Sequence, residues 1–107
     1  MSIATGTVAT GTAAAVYTSS GSTAVTWATF TNYSGGTDTL SVYVVPAADV
    51  AGGAQNEHLV LDSDPLNDTE SFNLYAGGEK LLLDNGDAIF AISSVSGIAY
   101  VISYTSI

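Results

Sequence analysis

Carboxylate side chains are concentrated between Asp62 and Glu70, and they are the first residues of this chain that could do chemistry. The oxygen-bearing candidates in this stretch are Asp62, Asp64, Asn67, Asp68 and Glu70. An EF-hand loop needs oxygen ligands at positions 1, 3 and 5, glycine at position 6 and glutamate at position 12. Counted from Asp62, position 5 is Leu66 and position 6 is Asn67, so the EF-hand pattern fails. The alternatives are a calcium site of another kind in a β loop and a solvated acidic loop, and we favour the second.

His58 is the only histidine, and a zinc site or a nucleophile–base pair would need partners for it. The chain has no cysteine, and we interpret His58, beside Glu57, as a surface residue at the end of a strand. The serines follow no Gly-x-Ser-x-Gly pattern, and no two carboxylates are set apart as a glycosidase pair. We therefore predict that the protein is not an enzyme. The prediction includes no catalytic residue, no metal ligand and no cofactor.

Aromatic side chains offer a further possible site, because Trp27 and several tyrosines could form a platform for sugar binding. The candidate tyrosines are Tyr17, Tyr33 and Tyr43. The alternative is that these rings pack in the core and on sheet surfaces, and this is the interpretation we favour. It places Trp27, the only tryptophan, at the start of the core.

The composition predicts strands to hold these residues. Serine and threonine make up about a quarter of the chain, and glycine occurs 11 times. Two β-rich runs within residues 23–46 flank the sequence Ser-Gly-Gly-Thr-Asp, which predicts a hairpin. Its second run carries Leu40, Val42 and Val44 at a period of two, a row expected to join Trp27 in the core. A bulge near Ala28 would bring Phe30 onto the same face as Trp27.

Further strands are expected along the rest of the chain, with no amphipathic helix beyond a short turn at residues 47–51. The segments are residues 58–61, 71–75, 80–83, 88–93 and 98–104, the last two forming a hairpin with Ile98, Tyr100, Ile102 and Tyr104 on one face. Turns are expected at residues 76–79 and at Asn85-Gly86, the second with positive φ at both central positions. The prediction is an all-β protein, a single antiparallel β-sandwich or jelly-roll-like domain of about eight strands. Residues 1–15 would form an extended arm or a first strand, and residues 16–107 the sandwich.

Charge is distributed unevenly, and this limits the possible partners. The net charge is −9, from ten acidic residues and one basic residue, Lys80. A nucleic-acid partner is not expected, because such binding needs a basic surface. A membrane partner is not expected either, because anionic lipid repels this charge and no apolar run approaches the ~20 residues of a membrane span.

All charged residues lie between Asp38 and Asp87, which leaves both ends of the chain uncharged. Exposed β edges are normally protected by lysine, proline or inward-pointing charges. One interpretation is that the edges are short and that serine and threonine keep them soluble. The other, which we favour, is that another subunit covers them.

Three stretches of the chain resemble the small β-sandwich virion proteins of tailed bacteriophages. They are residues 30–46, the Leu-x-x-Gly-Asp-x-Ile turn at residues 83–89, and the terminal strand that ends in Val-Ile-Ser-Tyr-Thr-Ser-Ile. The resemblance implies a structural protein on the virion surface, and we expect a capsid decoration (cement) protein. It also implies contacts with the major capsid protein or other virion proteins, and a homo-oligomer, most often a trimer. A neck, tail or fibre component and a carbohydrate-binding β-sandwich module are the alternatives.

Overall fold

The computed structural model describes residues 2–74 and 80–107, and within these ranges the chain forms two antiparallel β-sheets. The strands are β1 (Ser2–Thr7), β2 (Ala14–Thr18), β3 (Thr23–Asn32), β4 (Asp38–Val45), β5 (Leu59–Leu66), β6 (Ser71–Leu74), β7 (Leu81–Leu83), β8 (Ala88–Ser93) and β9 (Ile98–Ser106). Two short 3-10 helices, Ala47–Gly52 and Asn56–His58, lie between β4 and β5. The turn predicted at residues 76–79 lies outside the described residues.

The strand order is that of a jelly roll. The first sheet has the order β1-β9-β3-β6, and β7 also pairs with β3. β7 pairs with the start of β3 and β6 with its second half, so β6 and β7 together fill one strand position. The second sheet has the order β2-β8-β4-β5. Strand pairs are therefore nested about the β4–β5 connection, as in a jelly roll, and the predicted all-β sandwich is confirmed.

The two predicted hairpins are wrong, because their strands lie in different sheets. β3 belongs to the first sheet and β4 to the second, and β8 and β9 are separated in the same way. The glycine-containing connections after Asn32 and Ser93 are therefore arches between the sheets. They contact each other at one end of the sandwich, where the Tyr33 amide donates to the Gly97 carbonyl at 2.7 Å.

Buried polar side chains hold these arches in place. The Asn32 side chain, fully buried, donates to the carbonyls of Gly36 (2.8 Å) and Leu66 (2.9 Å). Asp38 is 1 % exposed, and its Oδ1 accepts from the Ser94 amide, the Ser94 hydroxyl and the Val95 amide. The Asn32 side chain thus satisfies backbone carbonyls and the Asp38 carboxylate satisfies loop donors, and together these contacts fix the crossing geometry.

The core lies between the sheets and contains the aliphatic rows expected from the sequence. Ile98 and Ile102 are fully buried, and Tyr100 and Tyr104 pack against the same cluster, so the predicted face of the last strand is confirmed. Leu40 and Val42 are fully buried, and Val44 packs against this cluster; the Leu40, Val42 and Val44 row of β4 is therefore a core row as predicted.

Local details differ from the prediction at three places. Residues 2–18 supply two strands, β1 and β2, one in each sheet, so the described chain has nine strands instead of about eight. Part of the expected acidic loop, as far as Leu66, belongs to β5. In the Asn85-Gly86 turn only Gly86 has a positive φ, of 88°, because this turn also links strands of different sheets instead of closing a hairpin.

Candidate functional site

The side of the first sheet that points away from the second sheet is the most distinctive surface of the described residues, and we call it the outer face. Its members alternate with the core residues of each strand: Ile3, Thr5, Thr7, Ala24, Trp27, Thr29, Thr31, Ser71, Asn73, Leu82, Ala99, Val101, Ser103 and Thr105. None of these side chains carries a charge. Leu82 and Ile3 are each 66 % exposed, so the face combines hydroxyl groups with open apolar side chains.

Trp27 lies on the outer face, and its predicted place in the core is wrong. The register between β3 and β9 shifts between Val25 and Trp27, which marks a bulge at Thr26. The bulge places Val25 and Ala28 in the core, both buried, and turns Trp27 to the other side, where it is 37 % exposed. Phe30 is fully buried in the core, as expected, but without Trp27 beside it.

Cross-strand register arranges the outer face in rows. One row runs from Ile3 through Ser103 to Trp27 across three neighbouring strands. Ser103, between the two larger side chains, is only 9 % exposed. The next two rows are Thr5-Val101-Thr29-Asn73 and Thr7-Ala99-Thr31-Ser71. An uncharged array of hydroxyl and apolar groups is suited to packing against another surface.

The acidic residues within residues 2–74 and 80–107 lie elsewhere, at the start of β4, on β5, in the 3-10 helices and in the turns, and several bond to backbone amides. Asp62 and Asp64 are in β5 of the second sheet. Asp68 Oδ1 accepts from the Gly35 amide at 3.0 Å, and Glu70 Oε1 accepts from the Asn67 amide at 2.7 Å. Within the described ranges, no group of three or more histidine, cysteine or acidic side chains could hold a metal ion. Asp68 and Glu70 are thus bonded to loop amides.

His58 is buried, and its predicted surface position is wrong. It is 8 % exposed, because the two 3-10 helices fold the β4–β5 connection over the ring. Its Nδ1 accepts from the Gln55 amide at 3.0 Å, and its Nε2 lies 3.1 Å from Asp49 Oδ2. An Nδ1 that accepts leaves the proton on Nε2, which then donates to the carboxylate. Both ring nitrogens are thus used to close the loop.

An open depression of about 240 Å³ lies beside this pair. It is lined by Ala48, Asp49, Gly52, Gly53, Gln55, Glu57 and His58. A histidine–carboxylate pair becomes a catalytic base only with a nucleophile or a substrate proton in reach of the ring. No serine, threonine or lysine side chain lines the depression, and the ring nitrogens are already bonded. The bonds of His58 to Gln55 and Asp49 hold the β4–β5 connection together.

The candidate aromatic platform is not assembled. Tyr17 packs on Tyr104 inside the sandwich with ring centroids 4.5 Å apart. Tyr43 packs against a separate small cluster around Val45 and Phe90, behind the second sheet. Tyr33, 59 % exposed, lies in the arch that follows β3. Only Trp27 remains on a sheet surface.

Comparison with known proteins adds no assignment to this geometry. No protein-family model, no curated protein and no solved structure matches the chain. Among the helices within residues 2–74 and 80–107, none has the length and apolar character that crossing a membrane requires.

Proposed function

We propose that this protein is a structural subunit of a virion, a capsid decoration protein that binds the head of a tailed bacteriophage. The observation that carries the proposal is the outer face, which is free of charge although the chain has a net charge of −9. Exposed apolar groups such as Ile3, Trp27 and Leu82 on one uncharged sheet face are typical of a binding face. The partner would be the major capsid protein or another virion protein.

The size of the outer face favours binding in many copies. Four strand positions spaced ~4.8 Å apart and about seven residues of length give a face of about 450 Å². If half of this is apolar, its burial contributes about 5 kcal/mol at ~25 cal/mol per Å². The entropy cost of association is of similar size, so one copy binds weakly. An array of linked copies gains avidity, which is how a decoration protein strengthens a head.

A matched pair of variants tests the role of the outer face. Leu82→Glu places a charge on this face, and Val60→Glu changes an aliphatic side chain, 45 % exposed, on β5 of the second sheet. We expect Leu82→Glu to lower the amount of protein bound to purified particles, measured by cosedimentation, at least tenfold. Val60→Glu should bind like the unchanged protein. Equal binding by both variants would refute the proposal.

A neck, tail or fibre component is the nearest alternative, and the outer face would serve it equally well. The number of copies per particle separates the two roles. Quantitative mass spectrometry of purified virions should find hundreds of copies for a head protein. A handful of copies would place the protein in the tail.

The exposure of Trp27 favours carbohydrate binding as a second candidate function. A tryptophan ring open at a sheet surface can stack on a sugar. Glycan-array binding that disappears in Trp27→Ala, with an unchanged melting temperature, would support this function. Binding to particles that is unaffected by Trp27→Ala but lost in Leu82→Glu would favour the decoration protein.

A further inference from the structure

One of the two edges of the first sheet lacks the features that normally prevent strands from associating. This edge is β1, Ser2–Thr7, which pairs with β9 on one side and with no other strand among the described residues. β1 has no charged residue, no proline and no register shift. Its backbone groups on the open side are therefore available to another strand.

The opposite side of the sandwich is protected, so the bare edge is a local feature. The edge strand there in the second sheet is β5, which contains Asp62, Asp64 and Pro65. Its pairing with β4 shifts register twice, and Ser63 has a positive φ of 47°. Charges, proline and bulges are the usual means of blocking edge association. In the first sheet the same side is formed, among the described residues, by the short strands β6 and β7.

We propose that β1 pairs antiparallel with β1 of a second copy of this chain across a two-fold axis. The first sheets of the two copies then form one continuous sheet. The inference deepens the proposed function and rests on it for the use of the outer face. A two-fold contact of this kind closes at two copies, so it predicts a dimer in place of the trimer expected from the resemblance.

Charge explains why the partner is a second copy. Two molecules with a net charge of −9 repel each other, and they meet at lowest cost along an edge without charges. The neighbouring edge strand of the second sheet, β2 (Ala14–Thr18), is also uncharged. A basic partner would instead be drawn to the acidic side, around Asp62 and Asp64.

The area of the outer face that is open to a virion partner gives a second reason for pairing two copies. An axis perpendicular to the sheet keeps both outer faces on the same side. The joined face then measures about 900 Å², twice the value for one copy. Stable interfaces bury about 800 Å² on each partner. The outer face of one copy is smaller than this area, whereas the joined outer face of a dimer reaches it.

The pairing geometry places Thr5 close to the axis. Residues directly opposite each other share a face, so one residue of β1 lies opposite its own copy, and the axis passes midway between the two. The longest overlaps centre on Ala4 or Thr5. Thr5 of one copy then lies opposite Ile3 or Thr5 of the other.

Single-cysteine variants test this geometry cleanly, because the chain has no cysteine of its own. Thr5→Cys is the probe, and Asn73→Cys, also exposed on the outer face but on β6, is the control. Two Asn73 positions in the dimer would be about 34 Å apart. With a short bismaleimide crosslinker, Thr5→Cys should give a covalent dimer and Asn73→Cys should stay monomeric. Equal crosslinking of both variants, or of neither, would overturn the proposal.

Sedimentation equilibrium measures the association without any modification. The unchanged protein should fit a monomer–dimer equilibrium, and Thr5→Glu should weaken it about tenfold, because like charges then face each other at the axis. Asn73→Glu adds the same charge at the far side and should leave the dimer constant within twofold. A monomer at all concentrations, a trimer, or equal weakening by both variants would contradict the proposal. Dimer formation that requires another virion protein would contradict the proposal as well.

The outcomes separate this inference from the proposed function. If the protein stays monomeric and Leu82→Glu still reduces particle binding, the inference fails and the decoration role stands. If the dimer forms and Leu82→Glu leaves particle binding unchanged, the decoration role fails and the dimer stands.

Discussion

Replacing Asp38 with alanine should loosen the end of the sandwich where the two arches meet. Asp38 Oδ1 accepts from the Ser94 amide at 3.0 Å, the Ser94 hydroxyl at 2.7 Å and the Val95 amide at 3.0 Å. Three such bonds contribute roughly 3–4 kcal/mol. The second carboxylate oxygen, Oδ2, is buried without a partner, and losing it recovers about 1–2 kcal/mol. The net loss expected is about 2 kcal/mol, or roughly 10 °C in melting temperature.

Thermal and urea unfolding followed by circular dichroism can measure this loss. Asp38→Asn keeps one acceptor oxygen for the three donors and should cost about half as much as alanine. Asp68→Ala is the control, because this exposed carboxylate accepts a single bond, from the Gly35 amide, in the same region. The control should change stability by less than about 0.5 kcal/mol. If Asp38→Ala unfolds like the control, the side chain does not hold the arches and the reasoning is wrong.

Three further substitutions test local features of the fold. Thr69→Gly should raise the free energy of unfolding by about 1 kcal/mol, since a β-branched residue with a φ of 72° is strained; a decrease would argue against strain. Gly6→Val should lower it by about 1–3 kcal/mol, because even a Cβ at Gly6 would lie 2.6 Å from the Tyr100 hydroxyl oxygen; unchanged stability would contradict the contact. His58→Ala should lower the free energy of unfolding by about 1–2 kcal/mol and speed proteolysis of residues 46–58; unchanged stability would indicate that His58 lies at the surface.

Strand positions could be predicted from the sequence, but strand partners could not. β3 and β4 are recognisable as β-rich runs on either side of a glycine turn, and β4 also has a period of two. A turn of this kind can close a hairpin or cross between sheets, and its residues do not distinguish the two. Here the choice depends on contacts from far along the chain, such as the bonds of Asp38 to Ser94 and Val95. The sequence pattern is local, whereas the choice between a hairpin and an arch depends on residues far along the chain.

Trp27 and His58 show the same limit at single residues. Trp27 faces outward because a bulge at Thr26 arises where β3 pairs with β9, about 75 residues later in the chain. His58 is buried because two 3-10 helices bring Asp49 to its ring. In both cases one residue's environment is set by a partner that the neighbouring sequence does not reveal.

The jelly-roll order explains how an uneven charge distribution along the chain becomes an uneven surface. Nesting about the β4–β5 connection sends the strands at the chain ends, β1, β2, β8 and β9, to one side of the sandwich. The strands from the middle of the chain, β3 to β7, go to the other side. Because the acidic residues all lie between Asp38 and Asp87, most of them follow the middle strands and the turns. The uncharged strands of the two chain ends therefore lie together on one side of the sandwich, and this is the side where the proposed contact with a second copy would form.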